Sequence, residues 1–159
     1  MRLMVAAAAA LILSFASVAR AQGTMAYGTS INAETGKKVA AAALAEAGRN
    51  GWQMAVAIVD TAGDLVYFEK MDDTQVGSVD VALGKARSAA RFKRPTKAFQ
   101  DALAAGGEGL RILALTGAVP VDGGVPLTVG GKIVGAIGMS GGTSAQDGQA
   151  AAAGVAALK

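Results

Sequence analysis

The chain has 159 residues, with 15 Lys and Arg against 12 Asp and Glu, and it contains neither histidine nor cysteine. That composition excludes a Ser-His-Asp triad, a histidine-ligated zinc or haem, and any disulfide staple. Stability must therefore come from a packed core, and the length is enough for one domain to bury one.

The first residues, MRLMVAAAAALILSFASVARAQ, read as a secretory signal peptide over 1–21. Arg2 is the early cation, Leu3 to Val18 the apolar run, and Ala19-Arg20-Ala21 the A-x-A cleavage site. A membrane-spanning reading is the weaker one, because the run is short, alanine-rich and closed by Arg20. Removing 21 residues leaves 138, and losing Arg2 and Arg20 lowers the formal charge from +3 to +1. The expected product is a nearly neutral periplasmic or secreted domain that is free of the membrane after cleavage. So small a charge argues against nucleic-acid binding, which needs a large positive field.

Residues 22–30 (QGTMAYGTS) read as a flexible lead-in, with a single domain expected over 31–159. The spacing predicts a helix from Asn32 to Ala47, capped by Asn32, with a Glu34–Lys38 pair and Gly48 ending it. MAVAIVD (54–60) and LVYFEKM (65–71) are predicted strands joined by the turn Thr61-Ala62-Gly63-Asp64. The first of them is apolar on both faces, so cover is expected on both sides of the sheet. Gly77 to Phe92 is predicted helical, with Ala82, Ala86 and Ala89 along one side. Pro95 ends that pattern and Thr96 is the expected cap of a short helix, KAFQDALAA. GEGLRILAL (107–115) reads as a helical piece leading into a strand at 116–121. VPLTV (125–129) and KIVGAIGMS (132–140) form a second expected hairpin through Gly130-Gly131, and a helix is predicted over 144–158.

Within the last strand, Gly138-Met139-Ser140-Gly141-Gly142 fits the G-x-S-x-G pattern of a nucleophile elbow. With no histidine, Ser140 lacks the usual base; only a Ser-Lys arrangement would remain, and no lysine is singled out for it. The glycines then have two readings. Ala136 and Gly138 let a helix or a ligand approach the strand, with packing against the terminal helix expected. Gly123-Gly124 and Gly141-Gly142 bracket the hairpin, and the second pair precedes a helix start whose N–H groups suit an anionic oxygen.

The segment KARSAARFKRPTK (85–97) holds six cations, Lys85, Arg87, Arg91, Lys93, Arg94 and Lys97, and no acid. Arg87 and Arg91 share a helix face, where they repel unless an anion lies near. One reading is a solvated face balanced by Asp72, Asp73, Asp80 and Asp101. The other is capture of a carboxylate or phosphate, with Phe92 either in the core or stacked on a planar ligand.

VDTAGDLVYFEKMD (59–72), KARSAARFKRPT (85–96) and GGVPLTVGGKIVGAIGMSGGTSAQD (123–147) together resemble the GlcG/HbpS family of haem-binding-protein-like domains. The carboxy-terminal domain of PduO-type adenosyltransferases is similar. The resemblance implies an α+β fold: a single three-layer α/β/α domain with a profilin-like or PAS-like antiparallel sheet. It also implies homo-oligomers, and haem or another tetrapyrrole as cofactor in some members. The positions it carries over are Lys85, Arg91, Phe92, Thr96, Gly123, Gly124, Pro126, Ser140 and Gly141 as ligand-binding candidates, with Gly135, Gly138 and Asp147 as fold residues. Haem-binding members that use histidine depart from this chain, so iron would need another donor, with Tyr67 and Met71 as weak local candidates. No catalytic residue is assigned.

Three functions stand at this point. The first is an exported module that binds a small anionic ligand of the tetrapyrrole type. The second is an enzyme or accessory protein acting on a small hydroxy- or oxo-carboxylate. The third is a structural or signalling oligomer without a ligand.

Overall fold

The computed structural model describes residues 25–159. The expected signal peptide lies outside the described residues. Helix α1 (Ala33–Arg49) begins where Asn32 accepts a hydrogen bond from the Thr35 amide, and Glu34 and Lys38 pair at 3.2 Å. It runs one residue past Gly48, and the turn to left-handed backbone falls at Gly51 instead, with φ of 71°. Strands β1 (Ala55–Val59) and β2 (Leu65–Lys70) form the first hairpin. Helices α2 (Ser78–Phe92) and α3 (Thr96–Ala104) follow, then a 3-10 helix at Gly107–Ala114. Strands β3 (Gly124–Val129) and β4 (Lys132–Ser140) make the second hairpin, and α4 (Ser144–Ala156) closes the chain.

The sheet is antiparallel throughout, in the order β2-β1-β4-β3, so the two hairpins join through β1 and β4 at the centre. Helices α1 and α4 lie on one face. They bury Val39, Ala43, Leu44, Ala150 and Ala151 against Met54, Val56, Ile58, Ile137 and Met139. Helix α2 covers the other face, where Ala82, Ala86, Ala89 and Ala90 meet Ala55, Ala57, Val59 and Ala136. This is the three-layer α/β/α arrangement expected from the sequence, and every residue of β1 is buried as its two apolar faces require.

The strand expected at 116–121 does not form. The chain leaves the 3-10 helix through Gly117, which is left-handed at φ 84°, and crosses α2. There the Val119 amide donates to Ser88 Oγ rather than to a strand neighbour. The partner of Gly138 also differs from expectation. A side chain at Gly138 would run into the Ala82 carbonyl and approach the Ala86 amide nitrogen at 2.6 Å, so the Gly138 face of β4 packs on α2, and it is the opposite face that meets the terminal helix. A Cβ on Gly124, which pairs with Gly138 across β3 and β4, would likewise lie 2.5 Å from the Lys85 carbonyl oxygen. Two facing glycines thus let the α2 backbone lie directly on the sheet.

The second half of the stretch expected as a lead-in is tied to the sheet. Gly28 N–H donates to Ile133 O at 2.8 Å, Ile133 N–H to Ala26 O at 2.9 Å, and Ile31 N–H to Val134 O at 2.7 Å. Tyr27 reaches across to α2, its hydroxyl donating to Ala90 O at 2.9 Å, with the Lys93 ammonium 4.2 Å from its ring.

Candidate functional site

The glycine pairs and one cation meet inside the protein. Lys85 sits on the alanine stripe of α2, fully buried at 0% exposure, beneath the end of β4. Its Nζ donates to Asp147 Oδ2 at 2.6 Å and to Met139 O at 3.0 Å. Asp147, in the first turn of α4, accepts from the Gly142 amide at 3.0 Å through its other oxygen. Burial pushes the Asp147 carboxyl above its ordinary range, and the Lys85 ammonium and the Gly141 and Gly142 amides pull the other way less strongly. The anionic oxygen expected at the Gly141-Gly142 corner is therefore the protein's own. α4 itself starts with a reciprocal cap between Thr143 and Gln146.

Around this pair the remaining candidates act on the main chain. Thr96, buried in the first turn of α3, does not cap that helix: Pro95 occupies the cap position and makes no side-chain hydrogen bond. Instead Thr96 Oγ1 accepts from the Gly124 amide at 2.9 Å and fixes the start of β3 to α3. Gly123 is left-handed at φ 116°, and a Cβ there would lie 3.0 Å from Lys85 Nζ. Pro126 is buried on the edge strand β3, where its missing N–H does not interrupt the ladder. Ser140 Oγ lies 3.2 Å from Ser78 Oγ and is almost fully buried. It has a hydroxyl neighbour and no base, which leaves the nucleophile-elbow pattern without its chemistry.

The other cations are placed differently. Arg87 Nε donates to Gly63 O at 3.1 Å and Arg91 Nε to Ala62 O at 2.9 Å, so both guanidinium groups rest on the β1–β2 turn. The turn is held from within by Asp60, whose Oδ1 accepts from the Ala62 and Asp64 amides. Lys97 pairs with Asp101 at 2.7 Å, and Arg94 lies 5.5 Å from the Phe99 ring. Phe92 is half-buried, edge-on to Phe99 at 5.3 Å between ring centres. Of the acids expected to balance the segment, Asp101 forms an ion pair among the described residues.

Tyr67 and Met71 lie away from this segment, against the face covered by α1. The Tyr67 hydroxyl donates to Glu69 Oε2 at 2.6 Å, and that bond holds its pKa above the usual phenol value. Losing the proton to become an iron ligand is thereby disfavoured. Met71 is half-buried against the same core. Among the described residues no group of three or more acidic, histidine or cysteine side chains is placed to hold a metal. The chain offers iron neither histidine nor cysteine, and the Tyr67 phenol is held protonated by Glu69.

A groove of about 460 Å³ opens elsewhere, between the 28–32 strap, the N-terminus of α1 and the base of the β3–β4 hairpin. Ser30, Ile31, Thr35, Lys132 and Leu158 line it, and it contains none of the residues expected from sequence. One further residue was missed at the polar centre, Ser78, and Arg87, read as a cation sharing a face with Arg91, was not carried among the ligand-binding candidates. Lys85 stands three residues after Ala82 and four before Ala89, and that spacing was the available sign that it points inward.

Comparison with known proteins places this architecture. Residues 31–156 match the family model described as haem degrading protein HbpS-like. Protein GlcG of Escherichia coli K12 is 34% identical over 102 residues, spanning 64% of this chain and 75% of GlcG. A double mutant of Streptomyces reticuli HbpS superposes with a TM-score of 0.76 at 29% identity, over 98% of this chain and 99% of HbpS. The PduOC:haem complex gives a TM-score of 0.74 at 26% identity, over 82% of this chain and 96% of that one. With the family model covering all but the ends of the described fold, the chain belongs to the HbpS-like family.

Proposed function

We propose that the protein is an exported, homo-oligomeric module that binds haem or a related tetrapyrrole without a histidine ligand. The observation that carries this reading is the match, over almost the whole of its length, to a domain whose structure is a haem complex. In the bound state the chain's own part is to bury the macrocycle and neutralise its carboxylates. Apolar burial is worth roughly 25 cal/mol per Å², and affinity depends on what remains after the costs of association. Bound iron would supply redox and ligand-exchange chemistry, to which this chain brings neither a histidine nor a cysteine donor.

Titration of the mature protein, from Gln22 onward, with haemin tests the reading. A saturable shift of the Soret band is expected, with micromolar affinity, about −8 kcal/mol. Because the Tyr67 proton is held by Glu69, Tyr67→Phe is expected to leave the affinity within about threefold. Loss of the shifted band in Tyr67→Phe would make that phenol the ligand and contradict the weak-donor reading. No Soret response, together with thermal stabilisation by small hydroxy- or oxo-carboxylates, would move the function to carboxylate chemistry.

A further inference from the structure

Helix α2 packs across β4, β1 and β3 and leaves edge strand β2 at its margin. The register places Leu65 opposite Val59 and Phe68 opposite Ala57, so both lie on the α2 side of β2. Leu65 is 51% exposed, and Phe68 and Leu83 of α2 are each half-buried against the same alanine cluster. This margin is a shallow apolar strip along one helix edge. At its end stands the β1–β2 turn with the two guanidinium groups resting on it.

Each of those arginines uses only Nε to hold a turn carbonyl. A guanidinium carries five N–H donors, four of them on the two Nη atoms. Among the described residues neither arginine makes another hydrogen bond, and neither lies within ion-pair distance of a carboxylate. Of the two acids at the turn, Asp60 is engaged with the turn amides, and the exposed Asp64 lies outside ion-pair distance of both arginines. Two like charges four residues apart on a helix repel, and among the described residues no direct ion pair offsets that repulsion. Anchoring through Nε also removes rotamer freedom and leaves the Nη groups, unpartnered among the described residues, for planar, two-point recognition of a carboxylate.

We propose that Arg87 and Arg91 form the receptor for the carboxylate end of an amphipathic ligand whose flat apolar body lies along Leu65, Phe68 and Leu83. The ligand class is a planar or rod-like hydrophobe bearing carboxylates at one edge. The proposal rests on the tetrapyrrole reading above and assigns that ligand's acidic edge to the turn rather than to the interior glycines.

The test compares protoporphyrin IX with its dimethyl ester, which differ only in the charged ends, by fluorescence titration of the mature protein. Wild type is expected to prefer the diacid by at least about tenfold. In Arg87→Gln/Arg91→Gln that preference falls below about threefold, while Leu65→Ser weakens diacid and diester alike. A merely structural brace on the turn would change thermal stability and leave the acid-over-ester ratio intact. Should the Gln pair fail to fold, Arg87→Lys/Arg91→Lys keeps the charge and loses the fork, and its preference is expected to drop several-fold. Equal binding of both porphyrins by wild type, or an undiminished ratio in the arginine variants, overturns this assignment alone. Failure of wild type to bind either porphyrin or haemin overturns the tetrapyrrole reading, and the assignment with it.

Discussion

Replacing Lys85 with methionine is expected to lower the free energy of unfolding by about 3–5 kcal/mol, the cost of leaving one member of a buried pair uncompensated. The carboxylate left behind would be that of Asp147, which is 3% exposed and would retain the Gly142 amide as its partner. The pair joins three elements at one point, α2 through Lys85, β4 through the Met139 carbonyl, and α4 through Asp147. Removing both charges is a different experiment. Lys85→Met/Asp147→Leu takes away the desolvation penalty together with the attraction, and is expected to recover most of the loss. Urea unfolding at fixed protein concentration reads both values. A single-variant loss below about 1 kcal/mol would mean that water or a cation reaches the site, or that Asp147 takes up a proton.

The second large effect is steric. Gly138→Ala would drive a methyl group into the Ala82 carbonyl and bring it near the Ala86 amide, both on a helix backbone that cannot rotate away. Lifting α2 to relieve the clash would open the face where four alanines meet the sheet. The expected cost is about 3 kcal/mol, the upper part of the range for overpacking. Gly48→Ala is the control, because nothing lies within 4 Å of its would-be Cβ inside α1. There alanine is expected to stabilise by about 0.5–1 kcal/mol through helix propensity. If both substitutions cost the same in the urea midpoint, close approach of α2 to β4 is not what the facing glycines provide.

Much of the fold was legible because its signals are local. Asn32 caps the helix it precedes, Gly130-Gly131 turn left-handed at φ of 56° and 74° between β3 and β4, and the alternation in 54–60 marks a strand buried on both faces. The failures came where tertiary contacts decide. Of residues 116–121 only Thr116, Val119 and Val121 favour a strand, Pro120 has no N–H to give a ladder, and the Val119 amide donates to Ser88 of α2, which no periodicity in the segment records. Thr96 looks like a cap and is instead a cross-link to Gly124, 28 residues away.

The site was legible as a list of residues and not as a partition. Six cations in thirteen positions give no sign, as charges, of which is buried with a carboxylate and which rests on a turn. Lys85 joins the interior because it shares a helical face with Ala82, Ala86 and Ala89. Arg87 and Arg91 lie off that stripe and meet the β1–β2 turn, a contact set by how α2 crosses the sheet. The bare main chain at Gly123-Gly124 and Gly141-Gly142, read from sequence as a receptor wall, serves the crossing of α2, the start of β3 and the seating of Asp147.

The account stands most directly on the identity of what the native protein carries. Mass spectrometry of the organic extract from protein expressed in its own host from the full 159-residue sequence reads that identity without choosing a probe. The account predicts a tetrapyrrole bearing free carboxylates, in near-stoichiometric amount and retained through size exclusion by wild type but lost from Arg87→Gln/Arg91→Gln. A small hydroxy- or oxo-acid in its place, or a porphyrin retained equally by the arginine variant, would contradict it.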